Sequence, residues 1–110
     1  MTDLHALRTD YRSRKAQLLD LVAYPKATVR QVRQVLQRMA DLTDEVLRQL
    51  WAGAGLAEPY ALLAVGGYGR AELFPYSDVD VLVLLPDGHS ADTDADLKKR
   101  IETFIGNWFA

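Results

Sequence analysis

Two short apolar runs, Tyr60 to Val65 and Val79 to Leu85, bracket a segment that opens Gly66-Gly67-Tyr68-Gly69-Arg70 and closes Ser77-Asp78-Val79-Asp80. This punctuation constrains the fold more than any other feature of the chain. Runs this short, rich in Leu and Val and bounded by glycine or proline, read as strands. The glycines after the first run give a backbone without Cβ atoms, able to approach a ligand closely and turn its N–H groups toward an anion. Ten residues then separate Gly67 from Asp78. Asp78 and Asp80 stand at i and i+2 at the head of the second run. On a strand both side chains leave the same face, and one divalent cation could take an oxygen from each.

Each part has an ordinary explanation when taken alone. A Gly-Gly pair after a strand is usually a turn, and Asp-Val-Asp before a strand is usually a solvated entrance. The combination argues otherwise. Asp80 runs directly into Val81-Leu82-Val83-Leu84-Leu85, a segment apolar on both faces and therefore expected to be covered on both. Charged side chains seldom enter a core without a partner, and a bound cation would supply one. Two familiar phosphate loops fail on the same residues. The Walker pattern requires Gly-Lys-Ser/Thr, yet no Lys lies between residues 27 and 97. The dinucleotide fingerprint fits Gly67-x-Gly69 and then meets Glu72, a carboxylate badly placed beside a pyrophosphate. Pro75 also forbids a long helix soon after the turn.

Helical periodicity surrounds the strands. Thr2 or Asp3 caps a helix carrying Leu4, Leu7, Tyr11, Leu18 and Val22, with Pro25 expected to close it. Thr28 opens a second. Its apolar face runs through Val29, Val32, Val35/Leu36, Met39, Val46, Leu47 and Leu50 to Trp51, where Gly53 and Gly55 end the pattern. A short helical turn is expected at Arg70 to Leu73, and a last helix, capped by Thr93 or Asp92, buries Leu97, Ile101, Phe104/Ile105 and Trp108. The pattern implies residues 1–55 as a helical pair and residues 56–110 as a mixed helix and strand segment, together one compact α+β unit.

Size and composition exclude several classes. At 110 residues with 49% hydrophobic content the chain can bury one core. It has no cysteine, so disulfides and thiolate metal sites are ruled out. No apolar stretch approaches the roughly 18 residues of a membrane span, and the N-terminus lacks signal-peptide character, which together imply a cytoplasmic protein without membrane contact. The net charge of −2 argues against general nucleic-acid binding. Residues 1–51 hold nine Lys/Arg and six Asp/Glu, while residues 52–110 hold four and nine, so the proposed metal site lies in the acidic half. Arg8, Arg12, Arg14 and Lys15 suit a solvated helix face or a contact to an acidic partner. His5 and His89 lie at no metal-ligand spacing and are expected to be exposed.

The run Val65-Gly66-Gly67-Tyr68-Gly69-Arg70, followed by Glu72-Leu73-Phe74-Pro75-Tyr76-Ser77-Asp78-Val79-Asp80, resembles the DNA polymerase β-like nucleotidyltransferase superfamily, and within it the amino-terminal domain of the bacterial PII uridylyltransferases. Ala71 departs from that pattern, standing where the family carries Gly. The resemblance implies a polymerase β-like core, a small sheet with helices, preceded by two amphipathic helices. It also implies transfer of UMP from UTP to a tyrosine of the nitrogen-regulatory PII protein. In such chemistry the enzyme neutralises phosphate oxygens and aligns reactants more than it supplies reactive groups. Asp78 and Asp80 would then be catalytic and hold Mg²⁺, and Gly66, Gly67 and Gly69 would let the backbone embrace the triphosphate. Arg70 is a candidate for phosphate contact or for an ion pair with Glu72, and Ser77 for a phosphate hydrogen bond or for capping the turn. Tyr68, Phe74 and Tyr76 are read as packing around the turn.

The superfamily carries a third carboxylate on a strand after the helix that follows Asp-x-Asp, and Glu102, inside that helix, does not match it. The expectation is therefore a fragment of a longer enzyme or a shortened gene product, inactive alone. Two other classes remain: an incomplete module that binds nucleotide or a protein, and a minimal nucleotidyltransferase of the antitoxin type. The last fits the chain's size but normally shows Gly-Ser and lacks two long leading helices.

Overall fold

A computed structural model describes residues 3–23, 25–56, 59–70, 79–90 and 94–109. The elements run α1 (Leu4–Asp20), α2 (Val29–Gly53), β1 (Ala61–Ala64), α3 (Gly66–Gly69), β2 (Val81–Leu84) and α4 (Ala95–Phe109). The result is a helical chain with a two-stranded antiparallel sheet, an α+β arrangement.

Capping fixes the helix starts. The Asp3 carboxylate accepts from the Ala6 amide at 3.1 Å, satisfying one of the donors left open in a first turn. Thr28 and Gln31 form a reciprocal capping box at the head of α2, with bonds of 3.1 and 2.8 Å. Asp94 begins α4 by accepting from the Leu97 amide at 3.0 Å. The expected caps at Asp92 and Thr93 lie outside the described residues. Helix α1 stops at Asp20, short of Val22 and Pro25, because its bonding tightens to i→i−3 contacts at Leu21, Val22 and Ala23. Gly55, at φ +77°, ends the α2 pattern.

Helix α2 is the spine. It buries Val35, Leu36, Met39, Ala40, Leu42, Thr43, Val46, Leu47 and Leu50 along one stripe, as its periodicity requires. Val29, at 72% exposure, falls outside that stripe. Leu47, Leu50, Leu56, Tyr68, Leu97 and Phe104 belong to one core cluster, so α2, the glycine turn and α4 share their interior. Trp51 meets Phe104 edge-on with ring centroids 5.4 Å apart. Ile105 is exposed rather than part of the α4 stripe, since Phe104 takes the inward position beside it.

Helix α1 buries none of its residues fully. Leu4, Leu7 and Tyr11 pack against the cluster from outside, Tyr11 lies edge-on to Trp108 at 6.0 Å, and Arg8 donates to the Asn107 carbonyl at 2.8 Å. Thr43 settles the α1–α2 contact: its hydroxyl is fully buried, donates to the Met39 carbonyl and also meets the Tyr11 hydroxyl at 3.0 Å. Arg14 pairs with Glu45 at 3.1 Å and with Asp10 at 3.6 Å across exposed surface, which places this member of the basic group on a solvated face.

The strands are shorter than the apolar runs and pair in the register Ala61↔Leu84, Leu62↔Val83, Leu63↔Leu82 and Ala64↔Val81. Leu62 and Val81 pack on the helical core, whereas Leu63, Val65, Leu82 and Leu84 are 37–48% exposed. The expected cover on both faces is therefore absent among the described residues. The helices α2 and α4 supply one layer only, on the face of Leu62 and Val81. The radius of gyration is 16.0 Å, with principal extents of 54 × 28 × 19 Å.

Candidate functional site

Three of the residues singled out as glycines, together with Arg70 and Asp80, fall within the described structure; Ser77 and Asp78 lie outside it, as do Glu72, Phe74 and Tyr76. A helical turn not expected from sequence lies just before the one expected at Arg70 to Leu73, most of which falls outside the described residues. It spans Gly66–Gly69 and caps at Arg70.

Two backbone contacts set the turn. The Val65 amide donates to the Asp80 carbonyl at 3.0 Å, prolonging the strand ladder one step past Ala64↔Val81. The Gly69 amide donates to the Val65 carbonyl at 3.0 Å, closing one helical turn. Asp80 is thereby fixed opposite Val65, next to the first glycine. By strand alternation its side chain shares the exposed face of Leu82 and Leu84.

Gly66 and Gly69 both resist a side chain. Gly66 has φ +62°, a left-handed conformation that disfavours other residues, and a Cβ there would lie 3.1 Å from the Asp80 Oδ2. The carboxylate thus lies over the α-carbon of the turn. A Cβ on Gly69 would come within 2.7 Å of the Ala64 carbonyl oxygen. The backbone of the turn is pressed onto the end of β1, leaving Gly66 and Gly69 exposed to solvent and Gly67 half-buried. Glycine backbone and an exposed carboxylate so come from one short stretch of surface, with Arg70 the next residue along the chain, a set able to take the phosphates and cation of a nucleotide.

Tyr68 turns the other way. It is 5% exposed, packed in the core cluster, and its hydroxyl donates to the Asp44 carboxylate on α2. Burial, then the Asp44 bond and the Asp44 charge, push its phenol well above the usual tyrosine value, with Arg48 opposing. Packing was foreseen for this ring; Asp44 was not singled out. The available signal was position, since Asp44 sits beside Thr43 and three residues before Leu47, on the shoulder of the apolar stripe. A cavity of about 410 Å³ adjoins this contact, between Asp44, Arg48 and Trp51 of α2 and Tyr60, Leu62 and Val81 of the sheet. It lies on the helix-facing side, away from the Asp80 carboxylate. His5 and His89 are exposed, as expected, His89 lying edge-on to Tyr60 at 5.9 Å. Among the described residues no group of three or more His, Cys, Asp or Glu could hold a metal ion. Nor does any described helix have the length and apolarity to cross a membrane.

Comparison with known families decides the affiliation. The family described as "Putative nucleotidyltransferase DUF294" matches residues 16–107. The chain belongs to this nucleotidyltransferase family. Within its span fall the glycine turn, Asp78 and Asp80. The chain is 44% identical over 99 residues to a bifunctional uridylyltransferase/uridylyl-removing enzyme of Burkholderia orbicola. It is 46% identical over 99 residues to the enzymes of the same description from Burkholderia lata and Burkholderia vietnamiensis. Each alignment covers 90% of this nucleotidyltransferase chain and 11% of the relative, so the chain spans about a tenth of those proteins. No solved structure matches it.

Proposed function

We propose that this nucleotidyltransferase chain carries the nucleotide- and metal-binding part of a uridylyl-transfer centre, with UTP as donor, Mg²⁺ as cofactor and a tyrosine hydroxyl of a PII signalling protein as acceptor. The observation that carries the proposal is the Asp80 carboxylate lying over the α-carbon of Gly66, which joins the two halves of the motif at one point. In this reading residues 56–110 contribute a polymerase β-like core and residues 1–55 the helical pair that supports it. The similarity to enzymes named for uridylyl transfer favours that donor over other nucleotides.

The reaction is substitution at the α-phosphorus. The acceptor hydroxyl oxygen forms a bond to that phosphorus, the bond to the bridging oxygen breaks, pyrophosphate leaves, and the hydroxyl proton passes to a carboxylate or to water. Gly66 and Gly67 offer backbone N–H groups to the triphosphate, and Gly69, whose own N–H closes the turn on the Val65 carbonyl, keeps a side chain out of the way. Arg70 adds a guanidinium suited to phosphate oxygens, and Ser77 a hydroxyl. The exposed Asp80 carboxylate, with Asp78 two residues before it, is a hard-oxygen donor set that fits Mg²⁺, which is commonly held by one or two carboxylates together with substrate phosphates. When bound, Mg²⁺ neutralises charge on the phosphates and the departing pyrophosphate.

Titration of the purified chain with UTP, with and without Mg²⁺, beside an Asp80→Asn variant, tests the site. Mg²⁺-dependent UTP binding that the variant loses supports it. Equal binding by the variant, or no binding of any nucleoside triphosphate by the parent, sinks it. ATP bound more tightly than UTP would replace uridylyl by adenylyl transfer. Label moving from α-labelled UTP to a PII tyrosine in the same mixture tests the acceptor.

A further inference from the structure

The segment Gly66–Gly69 should not be helical on its own account. Three of its four residues are glycine, each roughly 1 kcal/mol worse than alanine in a helix, and a single turn is far below the length at which isolated helices persist. Its N-cap residue Val65 makes no side-chain hydrogen bond to the turn. Something outside the segment must hold it. The segment has one side chain with which to be held, that of Tyr68. Gly66 and Gly69 are exposed, yet Tyr68 reaches inward to the core, where it shares a cluster with Leu47 and Leu97 and gives its hydroxyl hydrogen to Asp44.

We infer that Asp44 is a positioning residue for the glycine turn, anchoring it to α2 through Tyr68 so that its backbone N–H groups keep one orientation toward nucleotide phosphates. The inference rests on the nucleotide reading given above. Helix α2 is the most extensively buried element of the chain, which makes it a firm post for the anchor. A carboxylate is the stronger acceptor for a phenol, because hydrogen bonds to charged groups are worth about twice neutral ones. The phenol is a donor throughout the neutral range, and the upward shift of Tyr68 extends that into alkaline pH. Asp44 lies on the helix-facing side and Asp80 on the exposed face, so Asp44 acts through the turn and touches no reacting atom.

Amide exchange and UTP affinity in the parent, Asp44→Ala, Asp44→Asn, Tyr68→Phe and the Asp44→Ala/Tyr68→Phe double variant test this. In Asp44→Ala and Tyr68→Phe the Gly69 and Arg70 amides should exchange about tenfold faster, the factor set by losing one hydrogen bond to a charged group. Exchange at Met39 and Phe104 should change only as far as the stability lost in urea unfolding accounts for. The double variant should be no faster than the single ones, and Asp44→Asn, which keeps a neutral acceptor oxygen, should bring the rate back to within about threefold of the parent. UTP affinity in Mg²⁺ should fall about tenfold and recover in parallel. Acceleration along the whole chain with UTP affinity unchanged would show Asp44 to be merely structural and overturn the inference. So would a loosened turn with unchanged affinity, or parent-like glycine exchange in Asp44→Ala. If the parent binds no UTP, the nucleotide reading fails, and the exchange measurements still decide whether Asp44 holds the turn.

Discussion

Replacing Gly69 by alanine sets two physical effects against each other with opposite signs. Gly69 is in a helical turn and shows no left-handed φ, so propensity alone predicts a gain of up to about 1 kcal/mol from alanine. Packing predicts the reverse. The new Cβ would stand 2.7 Å from the Ala64 carbonyl oxygen and 3.1 Å from its carbon. Both are backbone atoms of a strand paired with Val81, so neither can rotate away as a side-chain tip would. Relief requires the turn to lift off β1 or the end of the strand to shift. Forcing an extra methyl into a packed site typically costs about 1–3 kcal/mol; a clash with backbone that cannot rotate away belongs to the upper part, about 2–3 kcal/mol, and the opposing propensity gain leaves a net loss of about 1–2 kcal/mol. For a chain of this size that is a fall in the thermal midpoint of roughly 4–8 °C. Thermal and urea unfolding of Gly69→Ala against the parent measure it directly. A variant as stable as the parent, or more stable, would refute the steric argument and show that the turn sits further from β1 than 2.7 Å implies.

Alkaline pH should act through Tyr68. Its folded-state value is raised by burial first and by Asp44 next, so its contribution is complete below the unfolded tyrosine value near 10 and declines as pH rises toward the higher folded value. Tyr68→Phe should therefore be less stable than the parent near pH 8, with the gap narrowing above about pH 10; a gap constant across urea unfolding series from about pH 8 to 11 contradicts this. Phe104→Ala removes a ring that is 2% exposed and stacked edge-on with Trp51, and should cost about 3–5 kcal/mol in urea unfolding. Leu82→Thr, on a residue 48% exposed, should change stability by no more than about 0.5 kcal/mol, while Val81→Thr on the core-facing side should cost clearly more. Equal losses from the two would mean that the sheet faces are misassigned.

Most elements were legible because they obey local rules. Asp3 and Thr28 cap as their chemistry dictates, α2 buries the stripe its spacing marks, and Gly53 and Gly55 end it. Where the sequence misled, the deciding force was tertiary. The turn at Gly66–Gly69 looks non-helical by composition and is helical because Tyr68 is held from α2. The strand Val81–Leu84 reads as buried on both faces, and only packing reveals that Leu82 and Leu84 face outward. Hydrophobicity reports what a residue tolerates, not which neighbours arrive. The same limit hid Asp44, whose partner lies 24 residues away. The pairing of Gly66 with Asp80 was legible as a motif, while the geometric reason for that glycine, a carboxylate over its α-carbon, was not.

The long axis of this chain bears on how it moves through solution. A compact protein of this length would have a radius of gyration of roughly 13 Å, against 16.0 Å here, and the longest extent is nearly three times the shortest. An elongated body meets more friction than a sphere of equal mass. The monomer should therefore elute early from a sizing column calibrated with globular standards, at a position that mimics a larger assembly. Its mass is better taken from sedimentation equilibrium or light scattering, neither of which depends on shape.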